Sequence, residues 1–330
     1  MKVLGMGNAL VDMMTELPDD TLLKELSLRK GSMQLVDKDF SIKALEQVRH
    51  LNRTEKSGGS AANTICGLAS LGIETAFIGK IGRDRLGEVF QNDLKHHGVR
   101  PLMQFGDTET GLALALVSRN GERTFATCLG SAVEMEPSDL DVELFRGYSH
   151  FYIEGYLMQH HELIRKAVEL AKEAGLDVII DMASFNVVEE NLDFLHFLVE
   201  EYADIVFANA DEARAFTGCG NPEDALNAIA QDCWIAVVKT GEKGSLVRNG
   251  KNVYRIAARK VNCIDTTGAG DLYAAGFLYG LLHNLKLPLC GEIGSILAGK
   301  VIEVIGAKIP DGAWHEINEQ IKQVIYKQVE

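Results

Sequence analysis

Residues 263–282 read CIDTTGAGDLYAAGFLYGLL, and the run DTTGAGD, Asp265 to Asp271, decides how the rest is read. Two glycines, an alanine and an acid stand where a long apolar segment begins. One reading is ordinary: Thr267 or Asp271 caps a helix and the glycines make the turn into it. The other is chemical. Backbone N–H groups of Gly268, Ala269 and Gly270 at a helix N-terminus form a cradle for an anion, with the Asp271 carboxylate beside it. Downstream, Ala274, Ala275, Leu278, Leu281, Leu282 and Leu285 recur at three- and four-residue spacing, which predicts an amphipathic helix. Gly276 and Gly280 are read as sites of close helix–sheet packing.

Working outward, the chain from about residue 148 alternates short β-branched runs with longer amphipathic ones. YSHFYIEG, DVIIDMA, DIVFANA and WIAVVKTG read as strands, and HELIRKAVELAKEAG and DFLHFLVEEY as helices. This rhythm predicts an α/β fold: an open, mostly parallel central sheet with helices on both faces. Ligands of such sheets bind beyond the carboxyl ends of the strands, so Asp181, Asn209 and Thr240-Gly241 are expected to converge on one crevice. Residues 31–39 and 102–130 lack that rhythm. The second contains Asn120-Gly121, a hairpin signal. Segments of about 12–38 and 102–130 are therefore expected to form a small β-sheet lid within a single domain spanning 1–330.

Composition narrows the class. With 330 residues and a formal net charge of −14, the chain can bury a sizeable core, and its surface is unsuited to nucleic acid or anionic lipid. No run reaches membrane-span length, and VLGMGNALV near the start reads as a first strand running into a loop rather than a targeting segment. Six scattered cysteines form no C-x-x-C pair, which favours a reducing, cytoplasmic setting over a zinc site or disulfide framework. His96-His97 and His160-His161 are expected in helices, as solvated surface residues.

Three further segments carry chemistry. SGGSAAN (Ser57–Asn63) puts Gly58 and Gly59 before a helix; KTGEKG (Lys239–Gly244) leaves a strand through glycines and suits either a ligand contact or a hairpin turn; NADE (Asn209–Glu212) suits a capping box. GMGNAL begins like a dinucleotide fingerprint, but Leu10 replaces the third glycine, and no phosphate-loop G-x-x-x-x-G-K-[ST] occurs.

Together these segments resemble the ribokinase-like (PfkB) family of carbohydrate and nucleoside kinases. D-T-x-G-A-G-D is matched in full, G-G-x-x-x-N by Gly58, Gly59 and Asn63, and N-x-x-E by Asn209 and Glu212, in the family's order over nearly the whole chain. GMGNALVD, Gln34 and NGERTF are most similar to the adenosine kinase branch. The resemblance implies a ribokinase-like fold and γ-phosphoryl transfer from ATP, with Mg²⁺ and in many members K⁺, to a hydroxymethyl group of a sugar or nucleoside. It implies that Asn8, Asp12, Gly58, Gly59, Asn63 and Gln34 bind the acceptor and that Arg123 faces the transferring group. Thr240, Gly241, Gly244 and Thr266 would border the nucleotide. Asn209 and Glu212 would hold the water shell of Mg²⁺, and Asp265 and Thr267 would lie at a K⁺ site. The general base is assigned to Asp271, because a sugar hydroxyl is a poor nucleophile until a carboxylate accepts its proton. A homodimer through the small sheet is a further implication. Alternatives are a free-sugar kinase and a non-catalytic binding protein on the same fold. One departure stands out: where the branch stacks adenine on an aromatic residue, FYIEGYL offers Tyr156 and then Leu157.

Overall fold

KVLGM forms the first strand, with Val3 packed into one core cluster and Leu4 and Met6 into another on the opposite sheet face. The same split recurs at Ile179 against Val178 and Ile180, and at Phe207 against Val206 and Ala208. Near-continuous apolar strands are what a sheet covered on both faces requires. The computed structural model describes residues 1–326. Its first strands are β1 (Lys2–Met6), β2 (Leu10–Glu16), β3 (Met33–Leu35), β4 (Arg53–Gly58), β5 (Glu74–Ile81), β6 (Val99–Phe105), β7 (Thr110–Val117) and β8 (Arg123–Gly130). They are followed by β9 (His150–Glu154), β10 (Asp177–Asp181), β11 (Ala203–Asn209), β12 (Ile235–Lys239), β13 (Ser245–Asn249) and β14 (Asn252–Ile256).

Nine strands make the large sheet, in the order β14-β13-β12-β11-β10-β9-β1-β5-β6. Its β12–β13 and β13–β14 pairs are antiparallel, and the remaining pairs are parallel. The small sheet has the order β3-β8-β7-β2-β4. β7 and β8 are joined through the expected Asn120-Gly121 turn, with Gly121 at φ +83° and a bond from Ser118 N–H to Glu122.

Several expectations need correction. Residues 102–105 belong to β6 of the large sheet rather than to the lid; Pro101 is tolerated there because β6 is an edge strand. The small sheet also recruits Arg53–Thr54-Glu55-Lys56 in β4, a polar strand without apolar alternation. The helix Ala269–Leu282 is buried nearly all round rather than along one stripe. Its Gly276 and Gly280 meet the helix Leu287–Val301, not the sheet: added Cβ atoms would lie 2.7 Å from the Ile293 carbonyl oxygen and 2.9 Å from the Cys290 Cα. His97 is half-buried behind the helix Arg85–His96, and withdrawal from water holds its imidazole below the usual value. Among the described residues no helix is long and apolar enough to cross a membrane.

Candidate active site

Asn8, Asp181, Asn209 and Thr240 stand at or just past the carboxyl ends of β1, β10, β11 and β12, whereas Asp12 lies in β2, Gln34 in β3 and Arg123 at the start of β8, all three in the small sheet. At their centre lies the start of the helix Ala269–Leu282. Its N-cap is Gly268, at φ +76° with no side-chain cap, so the ordinary capping reading is not what the turn adopts. Thr267 donates its hydroxyl to Asp265 (2.8 Å), and the Asp271 carboxylate instead accepts from Ser60 Oγ (2.7 Å) and Asn63 Nδ2 (3.0 Å). Burial pushes Asp271 up to about 6, and the bonds from Asn63 and Ser60 partly oppose that rise. The cradle also differs by one residue from expectation. Ala269 N–H closes a turn onto the Thr266 carbonyl (3.2 Å), whereas among the described residues the N–H groups of Gly268, Gly270 and Asp271 have no acceptor. These three are the free donors. Thr266 itself is exposed.

The acceptor side is built around two glycines. A Cβ on Gly58 would fall 2.1 Å from Asp12 Oδ1, and one on Gly59, at φ +91°, 2.5 Å from the Asn8 carbonyl oxygen. Only residues without side chains let Asp12 and Asn8 close in on the start of the helix Ser60–Ser70. Burial pushes the Asp12 carboxyl up to about 6, with Lys308 opposing and Asp271 adding to the rise. Asn63 is buried, with Oδ1 lacking a partner while Nδ2 serves Asp271. Gln34 lies on β3, its amide donating to Ser32 Oγ (3.2 Å).

Three residues missed by sequence complete this region. Glu154, ending β9, accepts from Asn8 N–H (2.8 Å) and Ala61 N–H (2.6 Å), tying two acceptor-side loops together; burial pushes it up to about 7. Its position after an apolar strand is the same signal that marked Asp181. Lys308 donates to Ser57 Oγ (2.6 Å) and Asp93 Oδ2 (3.1 Å), anchoring the residue before the glycine pair. Lys239, ending β12, pairs with Asp181 (3.0 Å), whose Oδ2 also accepts the Tyr152 hydroxyl (3.1 Å).

Arg123 does not stand free. It pairs with Asp265 and donates to Thr267 Oγ1 (3.0 Å), with its side chain 8% exposed. Asp265 in turn accepts from Gly306 N–H (2.7 Å), so both residues of the expected K⁺ site are engaged in clamping the cradle loop to the lid. Asn209 and Glu212 form the capping box: Asn209 Oδ1 accepts from Asp211 and Glu212 N–H (both 2.9 Å), and Asn209 N–H donates to Glu212 (2.7 Å). Burial pushes Glu212 up to about 7, with Lys239 opposing it. KTGEKG is a hairpin turn: Thr240 gives both its N–H (2.8 Å) and its hydroxyl (2.9 Å) to the Gly244 carbonyl.

Free helix-terminal amides beside a half-buried carboxylate can hold a phosphoryl group and take a proton from its acceptor. A model of the pfkB family of carbohydrate kinases matches residues 31–313. The chain belongs to that family. It is 35% identical to adenosine kinase from Sinorhizobium meliloti, a solved structure matched over 97% of this chain and 98% of that one, with a TM-score of 0.85. A probable sugar kinase from Rhizobium etli CFN 42 is 34% identical over 97% and 98%, with a TM-score of 0.86. Adenosine kinase of Saccharomyces cerevisiae is 29% identical over 92% of this chain and 96% of its own length. The fold is thus ribokinase-like, and the protein is a phosphotransferase acting on an alcohol group of a sugar or nucleoside. Kinases of this family use ATP, generally with Mg²⁺. The site fits both: the three free amides suit phosphate, and the buried Asp181 and Glu212 with the half-buried Asp271 leave an excess of acid for a cation to offset. Among the described residues no cluster of three or more His, Cys, Asp or Glu side chains is arranged to ligate a metal directly. That suits an ion carried on the nucleotide phosphates.

Proposed function

We propose that the protein transfers the γ-phosphoryl group of ATP to the primary hydroxymethyl group of a ribofuranose-type acceptor, with adenosine the first candidate. The observation that carries this reading is the Asp271 carboxylate, held by Ser60 and Asn63 beside the free N–H groups of Gly268, Gly270 and Asp271. The acceptor hydroxyl gives its proton to Asp271 while its oxygen bonds to the γ-phosphorus, and the bond from phosphorus to the bridging oxygen of the departing ADP breaks. Charge on the phosphoryl oxygens meets amides already fixed by the helix start. When bound, Mg²⁺ neutralises phosphate charge, and Asn209 and Glu212 would hold its water shell. Asp12 and Asn8 would bind sugar hydroxyls, which selects acceptors bearing them, since their loss leaves buried polar groups unpaired.

Tyr156 supports the nucleoside. Leu157 is buried, whereas Tyr156 follows β9 with 36% of its surface exposed. Its phenol is pushed up to about 12 by burial, with the charges of Glu154 and Asp271 adding to the rise. An aromatic face there offers an adenine about 1–3 kcal/mol of stacking. Against adenosine, ribose and fructose in a coupled ADP-release assay, adenosine should exceed ribose in kcat/KM by at least about tenfold. Ribose or fructose matching adenosine would replace this reading with the free-sugar kinase, which the hydroxyl-binding groups support equally. K⁺ would act through the Asp265–Thr267 loop, raising kcat/KM above its value in a bulky organic cation at matched ionic strength. A homodimer would cover β3, an edge strand whose Met33 and Leu35 are 52% and 56% exposed; sedimentation velocity tests it.

A further inference from the structure

Gly268 needs its left-handed backbone; Gly270 does not have one. The bare Cα of Gly270 therefore calls for a different reason. A Cβ built there would meet Lys239 alone, with Nζ at 3.2 Å and Cε at 3.9 Å. The ammonium thus lies against the turn from which the free amides of Gly268, Gly270 and Asp271 point. Its side chain is 15% exposed, and Nζ donates to both oxygens of Asp181, at 3.3 and 3.0 Å. Burial works against its charge, yet the fields of Asp181 and Glu212 outweigh that and keep the lysine protonated. Pairing with Asp181 alone does not account for an ammonium lying against the bare Cα of a cradle glycine.

We propose that Lys239 is a further catalytic residue: its ammonium, admitted past the bare Cα of Gly270, binds the phosphoryl group held by the cradle and stabilises its charge during transfer. This rests on the kinase reading above. Lys239 keeps its proton throughout; the acceptor's proton still goes to Asp271, and no bond forms to Nζ. A compact ammonium suits phosphate oxygens as a point charge.

The test compares Lys239→Met, Asp181→Asn, the double variant and Gly270→Ala. Lys239→Met should lower kcat by about 10²–10³, the usual loss for one oxyanion donor. Binding of a non-hydrolysable ATP analogue should weaken at least about tenfold and that of ADP less than about threefold, because only the γ-phosphoryl contact is lost. If Lys239 merely neutralised Asp181, removing both charges would restore turnover. The double variant should instead stay as slow as Lys239→Met. Recovery of the double variant to near the Asp181→Asn rate, or equal weakening of both nucleotides, would overturn the proposal. Gly270→Ala leaves the charge in place and displaces it, and should cost about tenfold in kcat at an unchanged melting temperature. It keeps the question decidable if Lys239→Met does not fold, since wild-type kcat in Gly270→Ala also overturns the proposal. Failure of the kinase reading would show separately, as a wild-type protein that turns over no acceptor with ATP.

Discussion

The stretches Asp265–Asp271 and Thr240–Gly244 are both glycine-marked turns at the carboxyl end of the large sheet, yet they spend their polar groups in opposite ways. In Thr240–Gly244 the Thr240 amide and hydroxyl both close on the Gly244 carbonyl, and Gly244, at φ +93°, fits against the Ile256 carbonyl so closely that a Cβ would lie 1.9 Å from its oxygen. In Asp265–Asp271 the side chains do the holding. Asp265 accepts from Thr267, Gly306 and Arg123, and that leaves three amides at the helix start free. A glycine turn becomes an anion site when neighbouring side chains fix the loop and so spare the backbone donors.

That contrast can be broken by substitution. The largest effect is expected from Asp271→Asn, which keeps the shape and removes the proton acceptor: kcat should fall by about 10²–10⁴ while ATP affinity holds, as measured by stopped assay and calorimetry. Next comes Gly268→Ala. Its Cβ would require φ near +76° and press within 2.7 Å of Ala307, so kcat should drop at least about tenfold as the free amides turn away. Gly244→Ala should instead cost stability, about 1–3 kcal/mol in denaturant melts, with kcat of the folded protein within about threefold of wild type. Thr240→Val should be smallest, about 0.5–1.5 kcal/mol, with little change in the KM for ATP.

Much of this was legible because turn residues and strand alternation are local signals. DTTGAGD, SGGSAAN and the βα rhythm after residue 148 each report on their own few residues. What escaped depends on distant neighbours. Arg123 and Asp265 meet across the lid and the cradle loop, and neither segment alone indicates that the guanidinium is already occupied. β4 was hidden because RTEKSG has polar residues on both faces, and Val99–Phe105 is an edge strand, where Pro101 can stand, whose pairing with β5 is set by distant residues. The helix Ala269–Leu282 shows apolar spacing compatible with one stripe, but the helix Leu287–Val301 covers its other side, admitted by Gly276 and Gly280. Glu154 and Lys239 were single polar residues ending apolar strands; their roles emerge only when the sheet order sets β9 and β12 on either side of β10 and β11.

The central claim is that Asp271 takes the acceptor's proton, and the pH dependence of kcat/KM tests it most directly. Burial holds this carboxyl at about 6, above the ordinary 3.8, so the ionised base is lost as pH falls through that value. Wild type should show an acid limb with an apparent pKa near 6 that steepens beyond tenfold per pH unit as Asp12 is protonated as well, and the residual activity of Asp271→Asn should keep at most the one-proton limb of Asp12. A wild-type profile flat from about pH 5 to 8 in folded protein, or the same limb in both proteins, would contradict the assignment.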